Sequence, residues 1–104
     1  MRLMEVVGKV SFSKTHPSLK GKRWVLATPL NLAALAEKEE PKADQLVVID
    51  ELGSQRGDVI AVSEGGEAAF PYYPNYKPVD AYAACLIERI DLDDDEVDRL
   101  LAQQ

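Results

Sequence analysis

The side chains of this chain that could react or hold a metal stand at no spacing that completes a site. There is one histidine, His16, and one cysteine, Cys85. A Cys/His pair could supply a thiolate nucleophile, but buried cysteines are usually inert. Cys85 stands in the apolar run 81–90 and reads as a small buried hydrophobe. His16 precedes Pro17 in a lysine-rich loop and reads as a surface or interface residue. The acids Asp91, Asp93, Asp94, Asp95, Glu96 and Asp98 invite a calcium reading. An EF-hand loop needs alternating ligands, a glycine at its sixth position and a bidentate Glu at its twelfth. This run has no glycine, and its spacing suits the start of a helix. Gly53-Ser54-Gln55-Arg56-Gly57-Asp58 is glycine-punctuated, so a phosphate cradle must be weighed. A P-loop needs four residues between its glycines and then Lys-Ser/Thr, and a dinucleotide fingerprint must open onto a helix. Here three residues intervene, Asp58 follows, and 59–62 reads as a strand. The expectation is a non-enzymatic protein with no catalytic residues, no cofactor and no metal site.

The elements that would position a site are mostly strands. Residues 5–13 favour a pleated sheet through Val6, Val10 and Phe12, with Gly8 hinting at a bulge. A loop punctuated by Pro17 and Gly21 leads to a second strand, 24–30. Residues 31–40 read as a helix capped by Asn31 and stopped by Pro41. The runs 45–49 and 59–62 are strongly apolar, and the glycine-containing loop between them predicts a hairpin. Three prolines make 70–78 irregular. The run 81–90 fits helix or strand, since a short apolar run cannot be assigned by periodicity. Asp93 to Glu96 leading into Val97, Leu100 and Leu101 predicts a short C-terminal helix. The sum is a mainly β fold: a small five-stranded OB-like β-barrel with one or two short helices, the last of them acidic.

At 104 residues the chain suits one domain with a single modest core and a radius of gyration of roughly 13 Å. One cysteine excludes an intrachain disulfide framework and a multi-thiolate metal centre. No apolar run approaches the roughly 18–20 residues a membrane span needs, and the N-terminus lacks the apolar region of a signal peptide. The net charge of −6 is unevenly divided. Residues 1–30 hold six bases and one acid, 31–87 four bases and ten acids, and 88–104 two bases and seven acids. An acidic chain is a poor non-specific binder of nucleic acid, whose affinity rests on phosphate neutralisation. The aromatics Phe70, Tyr72, Tyr73 and Tyr76 are also remote in sequence from the bases Lys14, Lys20, Lys22 and Arg23, which weakens an oligonucleotide reading. An OB-like module binding nucleic acid or protein stands as the competing reading.

Several ordered segments resemble the EutN/CcmL family of bacterial microcompartment vertex proteins. They are Val7-Gly8-Lys9-Val10, His16-Pro17-Ser18-Leu19-Lys20-Gly21-Lys22, Val47-Val48-Ile49-Asp50, the loop Gly53-Ser54-Gln55-Arg56-Gly57-Asp58 with Val59, and Pro78-Val79-Asp80-Ala81. The resemblance spans 4–92 and implies a five-stranded barrel over 1–92; the acidic extension 93–104 is an addition to the family pattern and reads as an appended, solvated helix. It implies a homopentamer that plugs the five-fold vertices of a shell tiled by hexameric and trimeric proteins, in the bacterial cytoplasm, with no nucleic-acid or membrane partner. It also puts Gly53, Ser54, Gln55, Arg56, Gly57 and Asp58 at an axial loop or pore. His16, Pro17, Lys20, Gly21, Pro78, Val79 and Asp80 are implied at subunit or shell contacts.

The chain departs from the family pattern in ways that favour a metabolosome over a carboxysome. Gln55 replaces a glycine of the loop, a choice that disfavours a positive φ there. Glu64-Gly65-Gly66-Glu67-Ala68 lacks the usual arginine, and 31–44 is longer and more helical than the usual connection. Arg56 is expected to pair with Asp58 or Glu51, or else to put positive charge at the axial opening.

Overall fold

Five short, largely apolar runs close into a barrel because each buries apolar side chains inside it and pairs its backbone groups with neighbouring strands. The computed structural model describes residues 1–75 and 77–103; Tyr76 and Gln104 lie outside the described residues. The strands are β1 (Arg2–Val10), β2 (Trp24–Pro29), β3 (Leu46–Ile49), β4 (Val59–Glu64) and β5 (Ala81–Leu86). Around the closed barrel the order is β1-β2-β3-β5-β4. Met4, Val6, Val25, Ala27, Val48, Ile60, Val62, Ala81 and Ala83 fill its interior. A second cluster of Ile49, Ala68 and Val79 lies under Leu19, Trp24, Tyr72 and Tyr82. This is the five-stranded, OB-like architecture that the sequence predicts.

Strand boundaries shift and one pairing differs. The predicted β3–β4 hairpin does not form: β3 pairs with β2 and β5, while β4 pairs with β1 and β5. The cause lies where the loop ends. Gly57 N donates to Val6 O and Val6 N to Asp58 O, both at 2.8 Å, so β4 is delivered to β1. Those bonds sit beside the register break between Val6 and Gly8, which is the bulge Gly8 foreshadows. The ambiguous run 81–90 resolves into a strand ending at Leu86, and a 3-10 helix, Gly65–Tyr72, runs into the start of the stretch predicted irregular, 70–78. Pro71 sits near the end of that helix. A proline there removes one N–H from a ladder that is about to stop.

Two helices complete the chain. α1 (Leu32–Leu35) has its expected cap, Asn31 Oδ1 accepting from Ala34 N at 2.9 Å. It does not run to Glu40. Glu37 turns at φ 59°, with Glu37 N bonded to Ala34 O and Lys38 N to Ala33 O. This reversal is a Schellman ending, and it sends the chain back to begin β3 beside β2. Thr28 Oγ1 donates to Ala43 O and ties the returning loop to the barrel. α2 (Asp94–Leu101) is capped by Asp93. The acidic extension is not merely solvated: Val97 is 4% exposed, α2 packs on α1, and Lys38 Nζ lies 3.2 Å from Asp98 Oδ1. The radius of gyration is 15.3 Å, above the expected 13 Å, and the molecule measures 49 × 26 × 23 Å.

Candidate functional site

The loop between β3 and β4 is held by side-chain hydrogen bonds, four of which end on one buried carboxylate. Asp50 directly follows the apolar run of β3 and has no solvent exposure. Its Oδ2 accepts from Ser54 N and Ser54 Oγ, each at 2.8 Å, and from the Arg23 guanidinium. Its Oδ1 accepts from Leu52 N at 3.0 Å. Arg23 also donates to Ser54 O. A buried charge is tolerated only when paired and hydrogen-bonded, and here every buried side-chain polar atom among the described residues has a partner. Asp50 thus folds Leu52 and Ser54 around itself and fixes how the loop leaves the sheet.

Beyond Ser54 the loop closes with a second acid. Asp58 Oδ2 accepts from Gln55 N at 2.7 Å, and Asp58 N donates to Gln55 O at 2.9 Å. The positive φ values fall on Gly53 (75°) and Gly57 (93°) and not on Gln55, so the loop turns without a third glycine. Ser54 is buried, while Gly53, Gln55, Arg56 and Gly57 face solvent and Asp58 is half-buried. The expected pairing of Arg56 does not occur. Asp58 serves Gln55, Glu51 serves Lys22 and Tyr72, and Arg56 forms no ion pair among the described residues.

The loop carrying His16 and Lys22 leans on the same end of the barrel. His16 Nδ1 accepts from Ser18 N at 3.1 Å, capping the 3-10 turn Pro17–Leu19, and Gly21 turns at φ 80°. Lys22 Nζ contacts Glu51 Oε1 at 2.5 Å, and Tyr72 Oη donates to Glu51 Oε2 at 2.9 Å. The Lys22 hydrogen bond holds the Glu51 carboxyl below its ordinary value of 4.5, with Tyr72 adding to it. Burial pushes the Tyr72 phenol upward, and the bond to Glu51 pushes it further. Lys22 and Lys77 both lie over the Tyr72 ring, at 5.1 and 5.3 Å. Lys77 also donates to Ser18 O, so three remote segments are welded together. Lys20 is exposed. Pro78 and Asp80 are exposed as well, whereas Val79 belongs to the second core cluster of this chain.

The residues first weighed for chemistry stay apart. His16 is engaged by Ser18, and Cys85 stands opposite Ala61 on β5 with no hydrogen bond between the two. Cys85 is exposed, not buried as its apolar surroundings suggest, because among the described residues the second half of β5 has a strand, β4, on one side only. In the acidic tail Asp93 caps α2, Asp91 pairs with Arg89, Glu96 with Arg99 and Asp98 with Lys38. Among the described residues no group of three His, Cys, Asp or Glu is placed to hold a metal, and no helix is long and apolar enough to cross a membrane. Sequence reasoning missed Asp50, Arg23 and the Glu51–Tyr72 bond as organisers. The available signal was an acid closing an apolar strand with a serine four residues on, the pattern of a side chain folding its own following backbone.

Solved structures share this barrel. One is the GrpN pentameric microcompartment shell protein from Rhodospirillum rubrum, 24% identical, with a TM-score of 0.74 over 89% of this chain and 100% of that one. Another is CcmL of Gloeobacter violaceus, 25% identical, with a TM-score of 0.77 over 89% and 91%. The ethanolamine utilization protein EutN from Escherichia coli is 18% identical, with a TM-score of 0.73 over 88% and 89%. No curated protein matches the chain in sequence. A family described as "Ethanolamine utilisation protein EutN/carboxysome" matches residues 1–88, which covers the whole barrel and stops before α2. The chain belongs to the EutN/CcmL family of microcompartment shell proteins.

Proposed function

We propose that this chain is a structural subunit that assembles into homopentamers and caps the five-fold vertices of a bacterial microcompartment shell. The observation that carries the reading is the family match over the entire closed barrel. Flat sheets of hexagonal tiles cannot close without five-fold units, and a heterologous contact repeated with cyclic symmetry makes such a unit. In this reading the loop 53–58 faces the axis. Its support is chemical: a buried acid fixes the loop's shape, and Arg56 is exposed with no ion pair among the described residues, so five copies would ring the opening with positive charge. Hexameric and trimeric shell proteins are the proposed neighbours. A metabolosome setting rests on the sequence departures alone, since carboxysome and ethanolamine-utilisation proteins both occur among the structural neighbours.

The competing OB-like binding module is disfavoured by charge. Lys22 and Arg23, half of the clustered bases, are already engaged by Glu51 and Asp50. Native mass spectrometry at micromolar concentration decides the oligomer: a five-chain species is expected, and a monomer overturns the proposal. Co-assembly with hexameric shell proteins tests the vertex role, closed particles being expected only when this chain is present.

A further inference from the structure

Two apolar patches at opposite ends of β5 have no partner among the described residues. At its start lies a groove of about 660 Å³, lined by Phe70, Tyr73, Pro74, Pro78 and Val79 among the described residues. Phe70 is 70% exposed and Tyr73 86%. Two aromatic side chains left in water to that extent present about 300 Å² of ring surface, the size of a functional patch on an ordinary monomer. At the far end, β5 pairs with β3 through Ile49 and Tyr82 only, so its later residues have β4 on one side and no described strand on the other. There Ala84, Cys85 and Leu86 are exposed, Leu86 to 46%. An apolar strand edge left open in this way invites pairing. About 17 Å of strand separates the two patches at 3.3 Å per residue, too far for either to cover the other.

The total surface says that something should cover them. A folded monomer of 11.5 kDa exposes about 5,800 Å². This chain exposes 7128 Å². Part of that excess of roughly 1,300 Å² belongs to the elongated shape, 49 × 26 × 23 Å, but its scale is that of two standard contacts of about 800 Å² each. A cyclic ring gives every subunit two contacts, made by two different patches.

We infer that the two patches are the two halves of one heterologous contact, the open edge of β5 around Leu86 in one copy seating on the Phe70–Tyr73 groove of the next. The inference rests on the pentameric reading and deepens it by naming the faces that meet. Phe70→Asp/Tyr73→Asp removes the groove half, and Leu86→Asp removes the edge half. All three side chains are exposed, so each variant should keep the wild-type circular dichroism spectrum. Each alone is expected to fall from the pentamer mass to the monomer mass, a five-fold loss. Mixed in equal amounts, they retain one working contact, between the intact edge of the first and the intact groove of the second. The mixture should form a one-to-one heterodimer and nothing larger. If either variant fails to fold, Tyr73→Ser and Cys85→Arg take their places.

A wild-type pentamer whose variants stay pentameric, or whose monomeric variants do not associate on mixing, overturns this assignment and leaves the vertex reading intact. A monomeric wild type overturns the vertex reading itself.

Discussion

Replacing Asp50 by Ala removes the acceptor shared by Arg23, Leu52 N and both donors of Ser54. Deleting one partner of a buried ion pair costs about 3–5 kcal/mol, chiefly because the other charge is stranded. The Arg23 side chain is 28% exposed and keeps its bond to Ser54 O, so partial hydration brings the expectation to the lower end, about 3 kcal/mol. In a domain of this size each kcal/mol shifts Tm by about 4–8 °C, which gives a fall of about 12–24 °C. Asn at the same position keeps one carbonyl oxygen and should lose about half as much. Thermal unfolding followed by circular dichroism measures this, at one protein concentration because assembly adds a mass-action contribution. Amide exchange at Leu52 and Ser54 reports the loop directly and should accelerate more than exchange within β1. A Tm loss below 4 °C, or unchanged protection of those two amides, refutes the claim that Asp50 fixes the loop.

Gly57→Val puts a β-branched residue at φ 93°, with no atom within 4 Å of the new Cβ, so its cost is backbone strain of about 1–2 kcal/mol. Subunits should fold while the pentamer fraction drops, read by native mass spectrometry; intact pentamers would count against Gly57 at a tight axial turn. The pH profile follows from three groups. Lys22 lowers Glu51 and Arg2 lowers Glu64, both by hydrogen bonding, so their contributions are full above 4.5 and lost as the pH falls through their depressed values. Burial raises Tyr72 above 10.0, so its contribution is full below that value and lost as the pH rises through its elevated one. Glu51→Gln should flatten the acid limb of a Tm-versus-pH curve, and an unchanged limb would exclude Glu51 from it. Val97→Ala removes two buried methyl groups and should cost about 1–2 kcal/mol, with faster amide exchange in α1; unaltered exchange would mean that α1 does not depend on α2. Asp93→Asn combined with Asp94→Asn and Asp95→Asn keeps a capping side chain at 93. Far-UV circular dichroism and the pentamer mass should therefore stay unchanged, and loss of the pentamer would place the tail in the interface.

Four strands and the acidic C-terminal helix were legible because each carries its own local signal, an apolar run with β-branched residues or an acid-rich first turn, whereas the run that becomes β5 fits helix equally well. Pairing was not. The runs ending at Ile49 and beginning at Val59 look like hairpin partners, yet that pattern states only that two strands lie close in sequence. What separates them is the delivery of Gly57 and Asp58 to Val6, a contact between remote residues. The same distinction explains α1. Its propensity favours helix to Glu40, but the chain must return to begin β3 beside Ala27, and tertiary closure overrides a preference of tenths of a kcal/mol per residue. Cys85 was misplaced because an apolar run implies burial only if both sides of its strand are covered. In the candidate site, Gly53 and Gly57 were readable as turn positions. The anchoring role of Asp50 was not, because it depends on Arg23 arriving from β2's approach.

The division of charge follows from the same architecture. Within residues 1–30 the basic excess resembles an open patch, but Lys22 and Arg23 neutralise Glu51 and Asp50 at the end of the adjoining strand. Those bases act as fasteners, and the net charge through residue 87 is only −1. The strong negative charge lies in 88–104, mostly beyond the family match and carried largely on α2. Copies of an acidic chain repel one another wherever like charges approach within a Debye length of about 8 Å. Both proposed contact halves, the Phe70–Tyr73 groove and the Ala84–Leu86 edge, are apolar, whereas Asp94 and Asp95 stand in the first turn of α2. A chain built this way can hold a net charge high enough for solubility while the faces that meet its copies stay close to neutral.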